Sequence, residues 1–122
     1  MNKSIIVIDD EQAILNSIHK QLKNEDYQIE LEQDPEIGLD KIGKNHYDLL
    51  LCDIRMKPIT GIDVLKKLRA GKCNIPIIFL SGFVDDKILE EVKRFGSNGL
   101  LRKPVRKKEL IQSINQLMPA SQ

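Results

Sequence analysis

The sequence is poor in cysteine, in net charge and in long apolar runs. Its two cysteines, Cys52 and Cys73, are too few for a disulfide framework and lack the C-x-x-C spacing of a zinc or redox site. Cys52 closes the apolar run 49–52 and is expected to be a buried thiol, so a disulfide between the two is not expected. The net charge is +1, from 19 basic and 18 acidic residues, and gives no general reason to expect binding to nucleic acid or to an anionic membrane.

No apolar run is long enough to cross a bilayer. Residues 1–10 carry only a short apolar stretch before two acids, which is not a signal peptide. The longest apolar-rich run, residues 75–80, contains Pro76 and is far too short. We therefore expect a cytoplasmic protein. The 122 residues, 41% of them hydrophobic, suit one globular domain over residues 1–118, with 119–122 as a tail or the start of a linker.

The hydrophobic period alternates between strand and helix five times along the chain. Short apolar runs predict buried strands, and one alternating run predicts a strand with an exposed face; these are residues 4–8, 27–31, 49–52, 75–80 and 99–101. Each is followed by apolar residues at helical spacing, and three of the helices have predicted N-caps: Asp34 before Pro35, Thr60, and Asp85 or Asp86. Five strand–helix repeats predict an α/β fold, a doubly wound parallel sheet with helices on both faces.

In such a sheet the ligand site lies beyond the carboxyl ends of the strands. The residues expected there are three carboxylates, a hydroxyl and an ammonium: Asp9, Asp10, Asp53, Ser81 and Lys103. Each alone is typical of an ordinary turn or helix start, but their shared edge favours a functional interpretation. Two carboxylates about 4 Å apart repel by roughly 4 kcal/mol at an effective dielectric near 20, so three require a cation or protons. Oxygen ligands with open positions suit Mg²⁺, and the set predicts phosphoryl transfer with a carboxylate nucleophile.

Four motifs in order resemble the receiver domain of two-component response regulators. They are the acidic pair in 6–11, the segment 51–56 with Gly61 eight residues after Asp53, the Ser81-Gly82 pair, and the triplet 102–104. The resemblance covers residues 3–117. It implies a flavodoxin-like (βα)5 fold with strand order 2-1-3-4-5.

The resemblance also implies a metal site and a phosphoacceptor. Asp53 would be the residue that becomes an aspartyl phosphate. Asp10, Asp53 and the backbone carbonyl of Arg55 would ligate Mg²⁺ directly, and Asp9 would act through a bound water.

Two further residues would contact the transferred group. Ser81 would hydrogen-bond the phosphoryl group on activation, and Lys103 would pair with it. The peptide bond between Lys103 and Pro104 would be cis. The face formed by helix 4, strand 5 and helix 5 would then change between two states.

The resemblance implies a signalling switch whose only catalysis is its own phosphorylation and dephosphorylation, and not an enzyme with a separate substrate. The donor would be a sensor histidine kinase, a histidine phosphotransfer protein or a small acyl phosphate. The output would pass to an effector protein or to an effector domain outside this sequence, and the helix 4–strand 5–helix 5 face could form a homodimer. Direct contact with nucleic acid or membrane is not expected.

Four positions depart from the family pattern or vary within it. Lys57 stands where the family usually has proline, and Leu100 stands where it usually has an aromatic switch residue in the fifth strand. Phe83 is bulky at a position that affects water access to the acyl phosphate, so it implies slow self-dephosphorylation, or else it is a core anchor. Arg55 could act in the same way or simply be solvated.

Two other classes share parts of this pattern. A Mg²⁺-dependent aspartyl-phosphate phosphohydrolase of the haloacid dehalogenase type needs an acid two residues after the nucleophile, where this chain has Arg55. A flavodoxin needs a phosphate-binding loop rich in hydroxyls and glycine after the first strand, where this chain has acids. Both are disfavoured by residues that are present.

Overall fold

Strands and helices alternate without exception in the computed structural model, which describes residues 3–118. The ten elements are β1 (Lys3–Ile8), α1 (Gln12–Leu22), β2 (Tyr27–Glu32), α2 (Pro35–Lys44), β3 (Leu49–Asp53), α3 (Gly61–Ala70), β4 (Ile77–Ser81), α4 (Asp86–Arg94), β5 (Gly99–Arg102) and α5 (Lys107–Leu117). No helix among the described residues is both long and apolar enough to cross a membrane.

The five strands form one parallel sheet in the order β2-β1-β3-β4-β5. This confirms the predicted doubly wound α/β architecture and the flavodoxin-like strand order. Every residue of β3 and β4 is buried, because these strands have neighbours on both sides and helices on both faces. The edge strand β2 instead alternates between partly buried and exposed residues over its first half, as its sequence predicts.

Each face of the sheet has its own hydrophobic core. Alternate residues of a strand point to opposite faces, so Ile6 and Ile8 join one core while Ile5 and Val7 join the other. Residues from α2, α3 and α4 cover the first face, and residues from α1 and α5 cover the second. The helices thus fix the sheet between two apolar layers and leave its carboxyl edge open for polar groups.

The predicted helix caps are confirmed. The Asp34 side chain accepts hydrogen bonds from two amides of the first turn of α2, and Asp85 accepts one from the amide of Ile88 at 2.8 Å. Thr60 forms a capping box with Asp63, in which each side chain accepts a hydrogen bond from the other residue's amide. These caps fix where α2, α3 and α4 begin.

Several strand boundaries differ from the prediction. β4 begins at Ile77 and not at residue 75, because Pro76 has no N–H to donate to a neighbouring strand. β4 also extends to Ser81 and β3 to Asp53, so these two residues are the last of their strands rather than the first of the loops. Both cysteines are free thiols, as expected. The expected tail at 119–122 lies outside the described residues.

Candidate functional site

Three carboxylates meet at the carboxyl edge of the sheet. Asp9 directly follows β1, and Asp53 ends the adjacent strand β3. One carboxylate oxygen from each of Asp9, Asp10 and Asp53 lies within 4.8 Å of the others. Asp9 is 0% and Asp53 4% exposed, whereas Asp10 is open to solvent. The convergence that the strand ends predict is therefore present for all three acids.

Lys103 follows β5 and reaches across the edge to these acids. Its amide donates to the carbonyl of Ser81 at 2.8 Å, which extends the pairing of β4 with β5 by one residue. Its Nζ atom lies 2.9 Å from Asp9 Oδ2 and 3.2 Å from Asp53 Oδ1. Glu11 is a third partner, with Oε1 at 3.4 Å from the same ammonium. Glu11 is not among the predicted site residues, although it directly follows the acidic pair.

The site holds more negative charge than its lysine compensates. Burial and the nearby charge of Asp9 raise the pKa of Asp53 to about 6, although Lys103 opposes the shift. Burial likewise raises the pKa of Asp9, despite the hydrogen bond from the Glu11 amide and the ion pair with Lys103. Burial alone would lower the pKa of Lys103, but its two buried acidic partners outweigh that effect and raise it. Such a site favours a bound cation or a proton.

Asp9 is held in place from two sides. Its Oδ1 atom accepts a hydrogen bond from the amide of Glu11 at 2.9 Å, and its Oδ2 atom faces Lys103. Its own amide donates to the carbonyl of Glu32 at 3.1 Å, which extends the pairing of β1 with β2. Glu11 is the N-cap residue of α1 and its side chain makes no cap hydrogen bond, so the Asp9 carboxylate is the side chain that bonds the backbone just before this helix.

The loop between β3 and α3 folds back onto the backbone of Asp53. The amide of Gly61 donates to the carbonyl of Ile54 at 2.8 Å. A Cβ atom at Gly61 would lie 2.2 Å from the carbonyl oxygen of Asp53 and 3.0 Å from the Cα of Ile54. Only glycine allows this approach, which explains why the chain has Gly61 at this point.

Ser81 lies on the neighbouring strand, and its hydroxyl is engaged locally. Its side chain is buried, and its Oγ atom donates to the carbonyl of Phe83 while it accepts from the Phe83 amide at 3.2 Å. The Phe83 ring is 54% exposed, so it is not a core anchor. The guanidinium carbon of Arg55 lies 4.8 Å from the centroid of that ring. Both residues stand out in the sequence, but their contact is not predicted from it.

The profile of the response regulator receiver domain family matches residues 5–115. The chain belongs to this family. The cell cycle transcriptional regulator CtrA of Caulobacter vibrioides is 36% identical over 120 residues, which are 96% of this chain and 51% of that protein. The cell cycle response regulator CtrA of Brucella ovis is 34% identical over 120 residues, 96% of this chain and 50% of that protein. The receiver domain thus spans about half the length of the curated relatives it matches.

Solved receiver structures share the architecture. The receiver domain of response regulator 1452 from Francisella has a TM-score of 0.88 at 31% identity, over 95% of this chain and 96% of that one. The chemotaxis protein CheY4 of Vibrio cholerae has a TM-score of 0.90 at 23% identity, over 97% of this chain and all of that one, and supports the fold alone. The family match decides for the receiver resemblance over the phosphohydrolase and flavodoxin alternatives.

Two residues of this receiver domain differ from the family pattern, and the structure shows their surroundings. Leu100, at the expected aromatic position, is half-buried and packs against the core on the α2–α3–α4 side of the sheet. Lys57 is exposed, and its bond to Pro58 is cis. The bond between Lys103 and Pro104 is also cis, as the resemblance implied.

Proposed function

We propose that this receiver domain is a phosphoacceptor switch, in which Asp53 takes a phosphoryl group from a phosphohistidine. The observation that carries the proposal is the setting of Asp53. It is a buried carboxylate at a strand end, 3.2 Å from the ammonium of Lys103 and clustered with Asp9 and Asp10. A carboxylate with two further acids and a lysine ammonium beside it has the surroundings that a nucleophile in phosphoryl transfer needs.

The donor set fits Mg²⁺. Three carboxylate oxygens within 4.8 Å of one another are hard ligands, and burial raises the pKa of Asp9 and of Asp53 although Lys103 opposes both shifts, so a bound cation would stabilise their charged forms. We propose that Asp10, Asp53 and the backbone carbonyl of Arg55 ligate the ion directly, with Asp9 acting through a water. When bound, the ion supplies positive charge for the phosphoryl oxygens and for the acidic cluster.

Three residues of the chain take part in the transfer of the phosphoryl group. An oxygen of Asp53 attacks the phosphorus, the P–N bond to the donor histidine breaks, and that bond's electron pair leaves with the imidazole. Lys103 forms an ion pair with Asp53 before the transfer, and afterwards it can form one with a phosphoryl oxygen. The carboxylate thereby becomes a group with nearly two negative charges and three acceptor oxygens. The Ser81 hydroxyl can donate a hydrogen bond to one of those oxygens.

The partners belong to the same proposal. Matching relatives are named as cell cycle regulators, the one from Caulobacter vibrioides as a transcriptional regulator, and each is about twice the length matched here. We propose a sensor histidine kinase or phosphotransfer protein as donor, and an effector domain or effector protein as the recipient of a change in the α4–β5–α5 face. That face could also form a homodimer. Two free thiols suit a reducing, cytoplasmic setting, and the chain would act as a signalling module without a separate substrate.

Phosphoramidate tests the proposal because it offers the same P–N bond as phosphohistidine. With Mg²⁺ present, intact mass spectrometry should show one added phosphoryl group on the wild-type chain and none on Asp53→Asn. Asp40→Asn, which removes an exposed acid on α2, is the matched control and should be modified like the wild type. Equal modification of Asp53→Asn would contradict the proposal.

A further inference from the structure

The hydroxyl of Ser81 makes two hydrogen bonds, both with the backbone of Phe83. Its Oγ atom donates to the Phe83 carbonyl and accepts from the Phe83 amide. A serine hydroxyl has a single proton to donate. Ser81 can therefore hydrogen-bond a phosphoryl oxygen on Asp53 only after it has released the Phe83 carbonyl, and the segment 81–83 must rearrange when that happens.

The ring of Phe83 is held by a residue from another loop. The Arg55 guanidinium carbon lies 4.8 Å from the ring centroid, although both side chains are exposed. Arg55 comes two residues after Asp53, in the segment between β3 and α3, while Phe83 comes two residues after the end of β4. The contact, called here the Arg55–Phe83 stack, thus joins the segment that follows the acceptor to the segment that follows Ser81.

The segment has room to move once the stack is broken. A Cβ atom built on Gly82 has no neighbour within 4 Å, so the backbone between Ser81 and Phe83 is not packed against other atoms on that side. The Phe83 carbonyl belongs to an exposed residue, so water can replace Ser81 as its donor. The Ser81 carbonyl stays bonded to the amide of Lys103, so the contact of the Phe83 ring with Arg55 is the restraint on this segment that can be released with residues 82 and 83.

We propose that Arg55 and Phe83 are positioning residues for Ser81. The Arg55–Phe83 stack holds the segment 81–83 in its resting geometry, and the ring must leave the guanidinium before Ser81 can reach a phosphoryl group. This inference rests on the proposed function of Asp53. A cation–π contact at an exposed site changes an equilibrium constant by about two- to fivefold, so removal of the stack should favour the phosphoryl-bound state by that factor.

Beryllium fluoride with Mg²⁺ is the probe, since it mimics a phosphoryl group on a carboxylate without covalent transfer. Amide and arginine Nε–H resonances of the wild type, Phe83→Leu and Phe83→Tyr would be followed during the titration. Phe83→Tyr keeps the ring face, and Phe83→Leu removes it. Phe95→Leu is the control, because the Phe95 ring faces Lys66 Nζ at 4.8 Å and the Arg94 guanidinium at 5.5 Å, so the variant loses cation–π contacts elsewhere in the fold.

We expect Phe83→Leu to reach half-saturation at about two- to fivefold lower beryllium fluoride, with Phe83→Tyr and Phe95→Leu close to wild type. In the free wild type the Nε–H proton of Arg55 should be shifted upfield by the ring. At saturation it should move to the position of a free arginine. A merely structural role for Phe83 would not give this pattern of tighter binding with rescue by tyrosine.

Three results would overturn the inference. If Phe83→Leu binds as wild type does or more weakly, or if the Arg55 resonance stays unchanged while the amides of Ser81 and Gly82 shift, the stack does not restrain Ser81 and the proposed function stands. If the probe leaves the amide of Asp53 unshifted in the wild type, the proposed function fails, and the inference fails with it.

Discussion

The ammonium of Lys103 lies 3.2 Å from the Oδ1 atom of Asp53, and so joins the residue after β5 to the last residue of β3. The same ammonium lies 2.9 Å from Oδ2 of Asp9. Both carboxylates are almost fully buried, so one cation compensates two anions where little water can reach them. The site keeps an excess of negative charge unless a further cation or a proton is bound.

Removal of Lys103 should destabilise the fold. Lys103→Met leaves two buried carboxylates without a cationic partner, and we expect the free energy of unfolding at neutral pH to fall by about 2–4 kcal/mol. Urea denaturation in the absence of Mg²⁺ measures this. Lys107→Met is the control, since Lys107 is exposed and 4.0 Å from Glu25, and it should cost about 0.5 kcal/mol or less. Equal losses for the two variants would contradict the expectation.

Stability should depend on pH through Asp53. Burial raises the pKa of Asp53 from 3.8 to about 6 in the folded state, so its ionised form opposes folding above that pH. The penalty is relieved as the pH falls through about 6. In a chelating buffer, Asp53→Asn should raise the free energy of unfolding at neutral pH by about 1–3 kcal/mol, and the gain should shrink near pH 5.

Asp48 supplies a control of opposite sign for that experiment. A hydrogen bond from the Ser4 amide lowers the pKa of Asp48, so its charged form favours the folded state and that contribution is lost as the pH falls. Asp48→Asn should give no gain in stability at neutral pH. If Asp48→Asn raised the free energy of unfolding as much as Asp53→Asn does, the burial of Asp53 would not be the cause of the stabilisation.

Mg²⁺ should stabilise the folded state. An ion that binds only the folded protein adds about 2.7 kcal/mol to the free energy of unfolding at a hundredfold excess over its dissociation constant. Thermal melts followed by circular dichroism should show a higher midpoint for wild type with Mg²⁺ than with sodium at equal ionic strength. Asp10→Ala removes an exposed carboxylate that we propose as a ligand, does so without opening the core, and should abolish most of the rise. An undiminished rise in Asp10→Ala would exclude Asp10 as a ligand.

Gly61 should tolerate no side chain, whereas Gly43 should. A Cβ at Gly61 would meet the Asp53 carbonyl at 2.2 Å, while one at Gly43 meets nothing within 4 Å. We expect Gly61→Ala to lower the free energy of unfolding by about 2 kcal/mol or more through backbone displacement. Gly43→Ala, in the last turn of α2, should raise it by up to about 1 kcal/mol. Denaturant titrations of both variants test this, and similar effects at the two positions would contradict it.

Much of this fold could be predicted because its pattern is local. The switch between strand and helix periods located all ten elements, and cap residues such as Asp34 and Thr60 marked helix starts. The convergence of the acids followed from one rule about parallel sheets. Strand ends were less certain, because pairing with a neighbour and not composition extends β4 to Ser81.

Side-chain contacts between residues far apart in sequence could not be predicted in the same way. Glu11 and Lys103 are in contact although 92 positions separate them in the sequence. Arg55 contacts Phe83 because the segments after β3 and β4 lie next to each other. Neither contact leaves a periodic or compositional trace. The tight approach of α2 to β1 is similar: a Cβ at Gly38 would clash with the Ile8 side chain, and nothing in the hydrophobic period indicates this contact.

The most direct measurement locates the transferred phosphoryl group. The wild-type chain would be incubated with Mg²⁺ and a small acyl phosphate, then treated with borohydride, which reduces an aspartyl phosphate to homoserine. Peptide mass spectrometry should find homoserine at position 53 and unmodified aspartate at positions 9 and 10. Homoserine at position 9 or 10 with position 53 intact, or a stable phosphoryl group on another residue type, would contradict the role proposed for Asp53.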